Sequence, residues 1–524
     1  MKQMELVDRS QIQMMSLEDM VSIDSTVRVI DLFLDYALDH NLEFKTEQQS
    51  TGRPAYPVKT MLGIYIYGYL NRIRSSRQLE KACQTNVELW WLLGYQMPCF
   101  KTIANFRKDN RKGFRNLFKC FREFCNGLEL YGKTTVAIDG SKFRAQNSKK
   151  NNYNEKKLNR HLEYIDKKTE EYLTILDEQD REEGEENPAT HQRLKDLAER
   201  RVKYKELKEE LERREELQIS TTDPDARSLP LHMKIVEVGY NVQSSVDDKH
   251  NLVVEYEVTN EKDDNALAPM VFKSKAALGM QEADPLTALA DKGYHKGEQL
   301  EKCQSKSIDT LVAPKEYVDN TKPENLRKEK FVYDKESDTY TCPNGEILKK
   351  QKRYHRRKKG KIVSSFDRYT IRYSVCVTCP HYEDCISPAK KKQSQGRCID
   401  RFEYQDAIDR NKEEVTARKE EYRRRQAIVE HPFGTIKRQW GYSYTLLKTI
   451  RKVETEFSII FLCYNLRRVM SILGLEGLKE ALKIDIFSII KSVTYVTYHK
   501  LSYLPKTRLL LSSVRVNHRK LCYF

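Results

Sequence analysis

The chain has 524 residues, 39% hydrophobic and 32% charged, which leaves room for several domains and a sizeable core. No stretch reaches about 18 uncharged apolar residues, and the opening MKQMELVDRSQIQMM carries charges where a signal peptide needs an apolar core, so neither a membrane span nor secretion is expected and the reading is cytoplasmic. Lys and Arg outnumber Asp and Glu by 93 to 77, an excess of 16 that suits a polyanionic partner such as nucleic acid, although a merely basic soluble protein has the same sum.

In chain order, residues 1–130 read as mostly helical. Val58–Tyr69 (VKTMLGIYIYGY) is apolar on nearly every side, as a buried helix would be. Arg72, Arg74 and Arg77 follow, and Leu79, Cys83, Val87, Trp90 and Trp91 recur at roughly helical spacing. A compact helical DNA-binding domain with these arginines as DNA contacts fits the pattern; so does a plain helical bundle. At Thr134 the pattern becomes that of a strand, TTVAID, closed by Asp139 and Gly140. Residues 151–218 hold 20 acidic and 15 basic residues. Their spacing by three and four, broken at Gly184 and Pro188, predicts an antiparallel helical hairpin inserted as a structural or partner-binding unit.

From Met233 the strand period returns in MKIVEVGYNVQSSVD and NLVVEYEVTN, joined by a turn at residues 247–250. A helix near Pro269–Met280, a strand ending at Asp291, a short helix over Lys296–Cys303 and a strand in IDTLVAP follow. That order gives an α/β core with a mixed sheet. Residues 325–400 interrupt it with cysteines and a basic run, residues 404–470 read as helical, and 471–524 form a tail.

Asp139, Asp291 and Glu430 stand in distinctive contexts: AIDGS, LADKGY and VEHPFGTIK. Two of them end apolar strands, where α/β sheets place their sites, and neighbouring strands would bring them together. An Asp after a strand is, taken alone, more often a turn former. Three clustered carboxylates repel unless cations bind among them. Mg²⁺ or Mn²⁺ prefers such hard oxygen ligands, and two ions about 3.5–4 Å apart can serve the attacking and leaving oxygens at a phosphodiester. Arg423, Glu430 and Lys437 are seven apart, which a continuous helix would place on one face. Pro432 suits a first turn, so the helix is expected to begin near Glu430.

Taken in order, these segments resemble DDE transposases of bacterial insertion sequences with an InsH-like N-terminal domain. The match lies in GYLNRIRSSRQLEKACQTNVELWWLLGY and TIANFRK, then AIDGSKFRAQNSK, TDPDARS, VGYNVQSSVDDKHNLVVEYEVTNEKDDN, LADKGY and VEHPFGTIKRQWGY. It ends with FLCYNLRRVMSILG and spans roughly residues 50–474. The resemblance implies a helical DNA-binding domain over 1–130 and an RNase H-like catalytic domain over 131–470. It also implies that Asp139, Asp291 and Glu430 hold two Mg²⁺ or Mn²⁺ ions. Lys437 matches the Lys that the wider superfamily places seven after the last carboxylate, and Lys437 and Arg438 are expected DNA contacts. Gln426 and Arg423 occupy the superfamily's Arg and Tyr positions, with Tyr422 and Arg425 each one residue early. Asp263 and Asp264 are rival second carboxylates in a turn-like run; Asp223 and Asp225 read as structural.

Cys376 and Cys379 form a CxxC, Cys385 follows, and Cys342 lies upstream in TCPNG. Four thiolates in two knuckle-like turns suit a tetrahedral, structural Zn²⁺, and the resemblance supports a zinc-ribbon-like insertion at 325–400. Cys398 and His381 are substitute ligands; reduced cysteines without metal are the alternative. The run Lys349–Lys361, with Tyr354 and His355 interleaved, reads as a phosphate-tracking patch or a solvated face, and Arg467 and Arg468 carry the same two readings.

The expected protein is a bacterial, nucleoid-associated transposase. It binds the terminal inverted repeats of its element, cuts there and joins the freed 3′ ends to target DNA, as a homodimer or larger assembly with no membrane role. A decayed transposase that only binds DNA, and an RNase H-like nuclease that cuts without joining, are the rivals.

Overall fold

The computed structural model describes residues 10–12, 14–45, 54–146, 149–181, 188–230, 236–315, 321–358 and 360–502. Gly184, Met233–Ile235, Lys359 and the end of the tail, residues 503–524, lie outside them. The chain opens with six helices: α1 (Thr26–Leu38), α2 (Val58–Leu70), α3 (Ser76–Thr85), α4 (Val87–Leu93), α5 (Phe100–Asp109) and α6 (Arg111–Gly127). The Ser25 side chain accepts from the Val27 N–H and starts α1; Asn86 does the same for α4 through the Leu89 N–H. Every residue of α2 from Thr60 to Tyr69 is buried, as its all-round apolar sequence requires.

Strand β1 (Thr135–Arg144) leads to β2 (Asn152–Tyr153) and to two long helices, α7 (Glu155–Arg181) and α8 (Pro188–Arg213), that pack on each other. Asp166 and Arg201 pair across them at 2.8 Å. After β3 (Ile219–Ser220) and β4 (Arg227–Pro230) come β5 (Val236–Asp247), β6 (Val253–Thr259), α9 (Leu267–Ala277), β7 (Leu286–Ala290), α10 (Gly297–Gln304) and β8 (Ile308–Val312). The sheet runs β4-β5-β1-β7-β8, with β6 also on β5. Strands β1, β5 and β6 pair antiparallel; β1, β7 and β8 pair parallel. This is the mixed α/β sheet expected of an RNase H-like core, with β4 as an addition that its Pro-ended run did not announce.

Residues 332–402 form a separate five-stranded antiparallel sheet. It comprises β9 (Val332–Asp334), β10 (Thr339–Thr341), β11 (Ile347–Lys358), β12 (Lys361–Thr370) and, after the short helices α11 (Tyr373–Val377), α12 (Tyr382–Cys385) and α13 (Pro388–Lys392), β13 (Cys398–Phe402). The basic run is therefore a strand, β11. This module closes over its own small core of Phe331, Tyr340, Leu348, Tyr369 and Ile399.

The chain returns through α14 (Gln405–Ala417) and α15 (Lys419–Gly434). Its departure and return are tied together: the Asn411 amide donates to Val312 O at 2.8 Å and accepts from Val312 N at 3.0 Å. Helix α15 runs through Pro432 and loosens into one π-helical turn, Thr435–Gln439. The expected start near Glu430 is thus corrected: the helix begins eleven residues earlier, at Lys419.

Helix α16 (Ile450–Ser502) is broken at Gly474, whose φ of 72° lies in the left-handed region. By length and composition its stretch Ile450–Ile484 would also cross a bilayer, but 56% of the most apolar window is buried inside the molecule. It packs against α1, α2, α6 and β6, and one hydrophobic core runs from α1 through the sheet to Leu478 and Leu482.

Candidate active site

Asp139 and Asp291 lie side by side because β1 and β7 are neighbours. Their parallel pairing runs from Thr135↔Thr287 to Ile138↔Ala290, so each Asp is the next residue after a matched pair. Asp291 follows the carboxyl end of β7, whereas β1 does not end at Asp139 as its sequence suggests but continues, paired to β5, to Arg144. Burial and then the Asp291 charge push the Asp139 carboxyl up to about 6, against the opposing pull of Arg425 and Lys142. Asp291 Oδ1 accepts from the Gly293 N–H at 2.7 Å, which fixes the turn after β7.

Glu430 arrives on α15, which packs against β1, β5 and β7. Its side chain is exposed and accepts from Gln426 Nε2 at 2.8 Å. Among the described residues no three His, Cys, Asp or Glu side chains stand close enough together to hold a metal ion. The structure thus brings Asp139 and Asp291 together but does not group Glu430 with them. The donor set still fits a hard divalent cation: two adjacent carboxylates, one of them held up by burial and by the other's charge, gain from a positive ion between them.

Lys437, in the π turn, lies beside this pair. Its Nζ donates to Lys142 O at 2.6 Å and sits 4.3 Å from the centre of the Phe143 ring. Burial lowers its amine to about 8, while Asp139 acts in the opposite direction. Arg72 and Arg438 are exposed; Arg77 is exposed above the Phe100 ring at 5.2 Å. Arg74 departs from its expected role on DNA. It is 6% exposed, donates to Glu456 Oε1 at 3.0 Å and to Tyr444 O at 2.9 Å, and covers the Tyr442 ring at 4.1 Å. It joins the N-terminal helices to α16 instead. An Arg two residues from exposed ones gives no sequence sign of facing inward.

Sequence reading also missed a polar network behind Asp139. Asp263 accepts from Asn241 Nδ2 and Gln243 Nε2, both at 2.7 Å, and from Lys142 Nζ at 2.8 Å. The Tyr294 hydroxyl donates to Gln243 Oε1. Asn241 and Gln243 lie two apart, on one face of β5, and two amides at that spacing in a core strand were the available signal. Asp263 is tied up here as the partner of Lys142. A Cβ on Gly140 would lie 2.3 Å from Gln243 Nε2 and 2.4 Å from Asp263 Oδ1. Gly140→Ala is therefore expected to displace β1 from this network and slow DNA cutting by about a hundredfold, the order of loss that a 1 Å misplacement produces. Affinity for DNA, measured by fluorescence anisotropy, should stay within about twofold, a change of under 1 kcal/mol; equal losses in both assays would show general unfolding instead.

Asp223 and Asp225 are structural. Asp223 accepts from the Tyr240 hydroxyl at 2.7 Å and the Thr449 N–H at 3.0 Å, and Asp225 accepts from the Ile450 N–H at 2.9 Å, so they hold the start of α16. Cys342, Cys376, Cys379 and Cys385 line one cavity of about 40 Å³ with His381. Burial pushes the Cys376 and Cys385 thiols up. Cys398 stands apart: its sulfur accepts from Lys390 Nζ at 2.6 Å and lines a different groove.

A family model described as a transposase DDE domain matches residues 225–466, and one described as a transposase domain (DUF772) matches residues 15–109. The two matches support a DDE-type transposase. No curated protein matches it. Within this transposase, the DDE match takes in Asp291, Glu430 and Lys437, while β1 with Asp139 precedes it. The N-terminal match covers α1 to α5, the helices that carry Arg72 and Arg77 on the loop and helix after α2.

Proposed function

We propose that this transposase cuts DNA at the terminal inverted repeats of its own element and joins the freed 3′ ends to target DNA. Asp139, Asp291 and Glu430 are the residues that would hold two Mg²⁺ or Mn²⁺ ions. Supporting this above all is the placement of Asp139 and Asp291 on adjacent parallel strands, with Lys142, Arg425 and Lys437 around them. Bound divalent ions supply an activated attacking oxygen and stabilise the leaving one. The chain's own cations offset the charge of the phosphates that approach the carboxylates. Arg72, Arg77 and Arg438 are exposed and suited to phosphates further along the duplex. Cutting and joining need two DNA ends held at once, so a homodimer or larger assembly is part of the proposal, with the cytoplasm as its place of action. Cys342, Cys376, Cys379 and Cys385 are the residues that would hold a structural Zn²⁺, since four protein thiolates leave no open position for chemistry.

The test is a donor DNA carrying the gene's native flanks, incubated with the protein and Mg²⁺ or Mn²⁺. Cut ends that become joined to a second DNA, only when the divalent ion is present, are the expected products. Cut ends never joined would favour a nuclease, and retarded DNA without any cutting would favour a DNA-binding relic.

A further inference from the structure

Residues 321–402, the five-stranded module with the segment leading into it, hold 21 Lys and Arg against 10 Asp and Glu and so carry +11 of the chain's formal +16. Part of that charge converges on a groove of about 640 Å³ lined by β11, β12, β13 and the turn before β13. Lys328, Arg356, Arg368, Lys390 and Arg397 line it, against the single carboxylate Asp400. Arg368 takes both oxygens of Asp400, at 2.7 and 3.0 Å. The other cations are held by neutral groups: Lys328 by Asp400 O, Lys390 by the Cys398 sulfur, Arg397 by Cys385 O and Leu326 O. Arg356 lies over the Phe366 and Phe402 rings, at 5.4 and 5.6 Å. Among the described residues none of these four has a carboxylate within ion-pair distance.

Four like charges around one groove repel, and half-burial of Lys328 makes its charge harder to hold: burial lowers its amine. The arrangement becomes favourable when an anion fills the groove. The Phe366 and Phe402 rings hold the exposed Arg356 guanidinium against the groove wall. The groove is far larger than a single small anion and belongs to a protein that resembles transposases. We infer that it binds the phosphodiester backbone of DNA, as a contact separate from the carboxylate crevice. This rests on the transposase reading for its choice of polyanion.

The test uses the full chain without divalent ions, so that binding is read apart from cutting. Affinity for a labelled duplex of arbitrary sequence is measured across a salt series. Arg356→Gln with Lys390→Gln removes two phosphate contacts, so the slope of log affinity against log salt should flatten by about 2 and affinity fall at least tenfold at low salt. Arg356→Lys with Lys390→Arg should restore the slope. If the double glutamine variant does not fold, Arg356→Gln alone, at an exposed site, should flatten the slope by about 1. An unchanged slope in either glutamine variant overturns the proposal. So does inorganic phosphate that binds the parent, but not the variant, without being displaced by DNA; that marks a small-anion site. A parent that cuts DNA while the variants keep the full slope sinks the groove and spares the transposase reading. A slope difference in a protein that never cuts does the reverse.

Discussion

Asp139→Asn should abolish DNA cutting and, with no divalent ion present, make the protein more stable. The activity loss follows from the proposed role: a missing ligand oxygen should weaken divalent-ion binding by at least the roughly 10–100-fold that loss of an outer-shell partner costs. The stability gain follows from the site's electrostatics. The Asp139 carboxyl is pushed from 3.8 to about 6 by burial and by Asp291. Between those values the folded state holds a proton that the unfolded chain has released, so stability falls as pH rises through the window. Above about 6 the full penalty applies, on the order of 2–3 kcal/mol at about 1.4 kcal/mol per pH unit. Asn carries no charge and escapes it. Thermal unfolding at pH 7.5 in a chelator should therefore show the variant melting several degrees above the parent, with the two converging near pH 4 (both pH values chosen to bracket the window, about 1.5 units above the folded value and close to the unfolded one). A variant that melts below the parent at pH 7.5 would mean that the carboxylate stabilises the fold, contrary to this account.

Glu456→Ala should be among the most damaging single changes in the molecule. Glu456 is fully buried and accepts from Arg74, from the Leu446 N–H and from the Leu447 N–H. Removing it leaves the Arg74 charge buried against Tyr442 and two backbone donors without partners. Breaking a buried pair in this way costs about 3–5 kcal/mol. Arg74→Ala is expected to cost a similar amount by stranding Glu456. The double variant Arg74→Met, Glu456→Leu should recover much of the loss, because matched apolar groups replace the pair. Denaturant unfolding of the four proteins measures this; additive losses in the double variant would show that the two residues act independently.

Much of the core was legible because its signals are local. The β-branched run before Asp139, the apolar run before Asp291 and the alternation in β5 and β6 fix strands by pattern alone. Adjacency of β1 and β7 is not local, and only the parallel pairing makes Asp139 and Asp291 neighbours. Arg74 and Arg72 look alike in sequence, but a left-handed turn at Arg72, with φ of 65°, sends them in different directions. Pro432 reads in sequence as a first-turn residue, whereas α15 runs through it into a π turn. The basic run Lys349–Lys358 disguised a strand: charge concealed the alternation that pairs Tyr354 with Phe366 and buries Leu348.

The Asn411 amide gives the fold a seam. Because it closes the chain's exit at Val312 onto its return in α14, the position of Glu430 does not depend on what is threaded between them. The module at 332–402 is then a length of chain whose size can change while Asp291 and Glu430 keep their relation. Spacing between those two residues in sequence accordingly carries no information about spacing in the crevice.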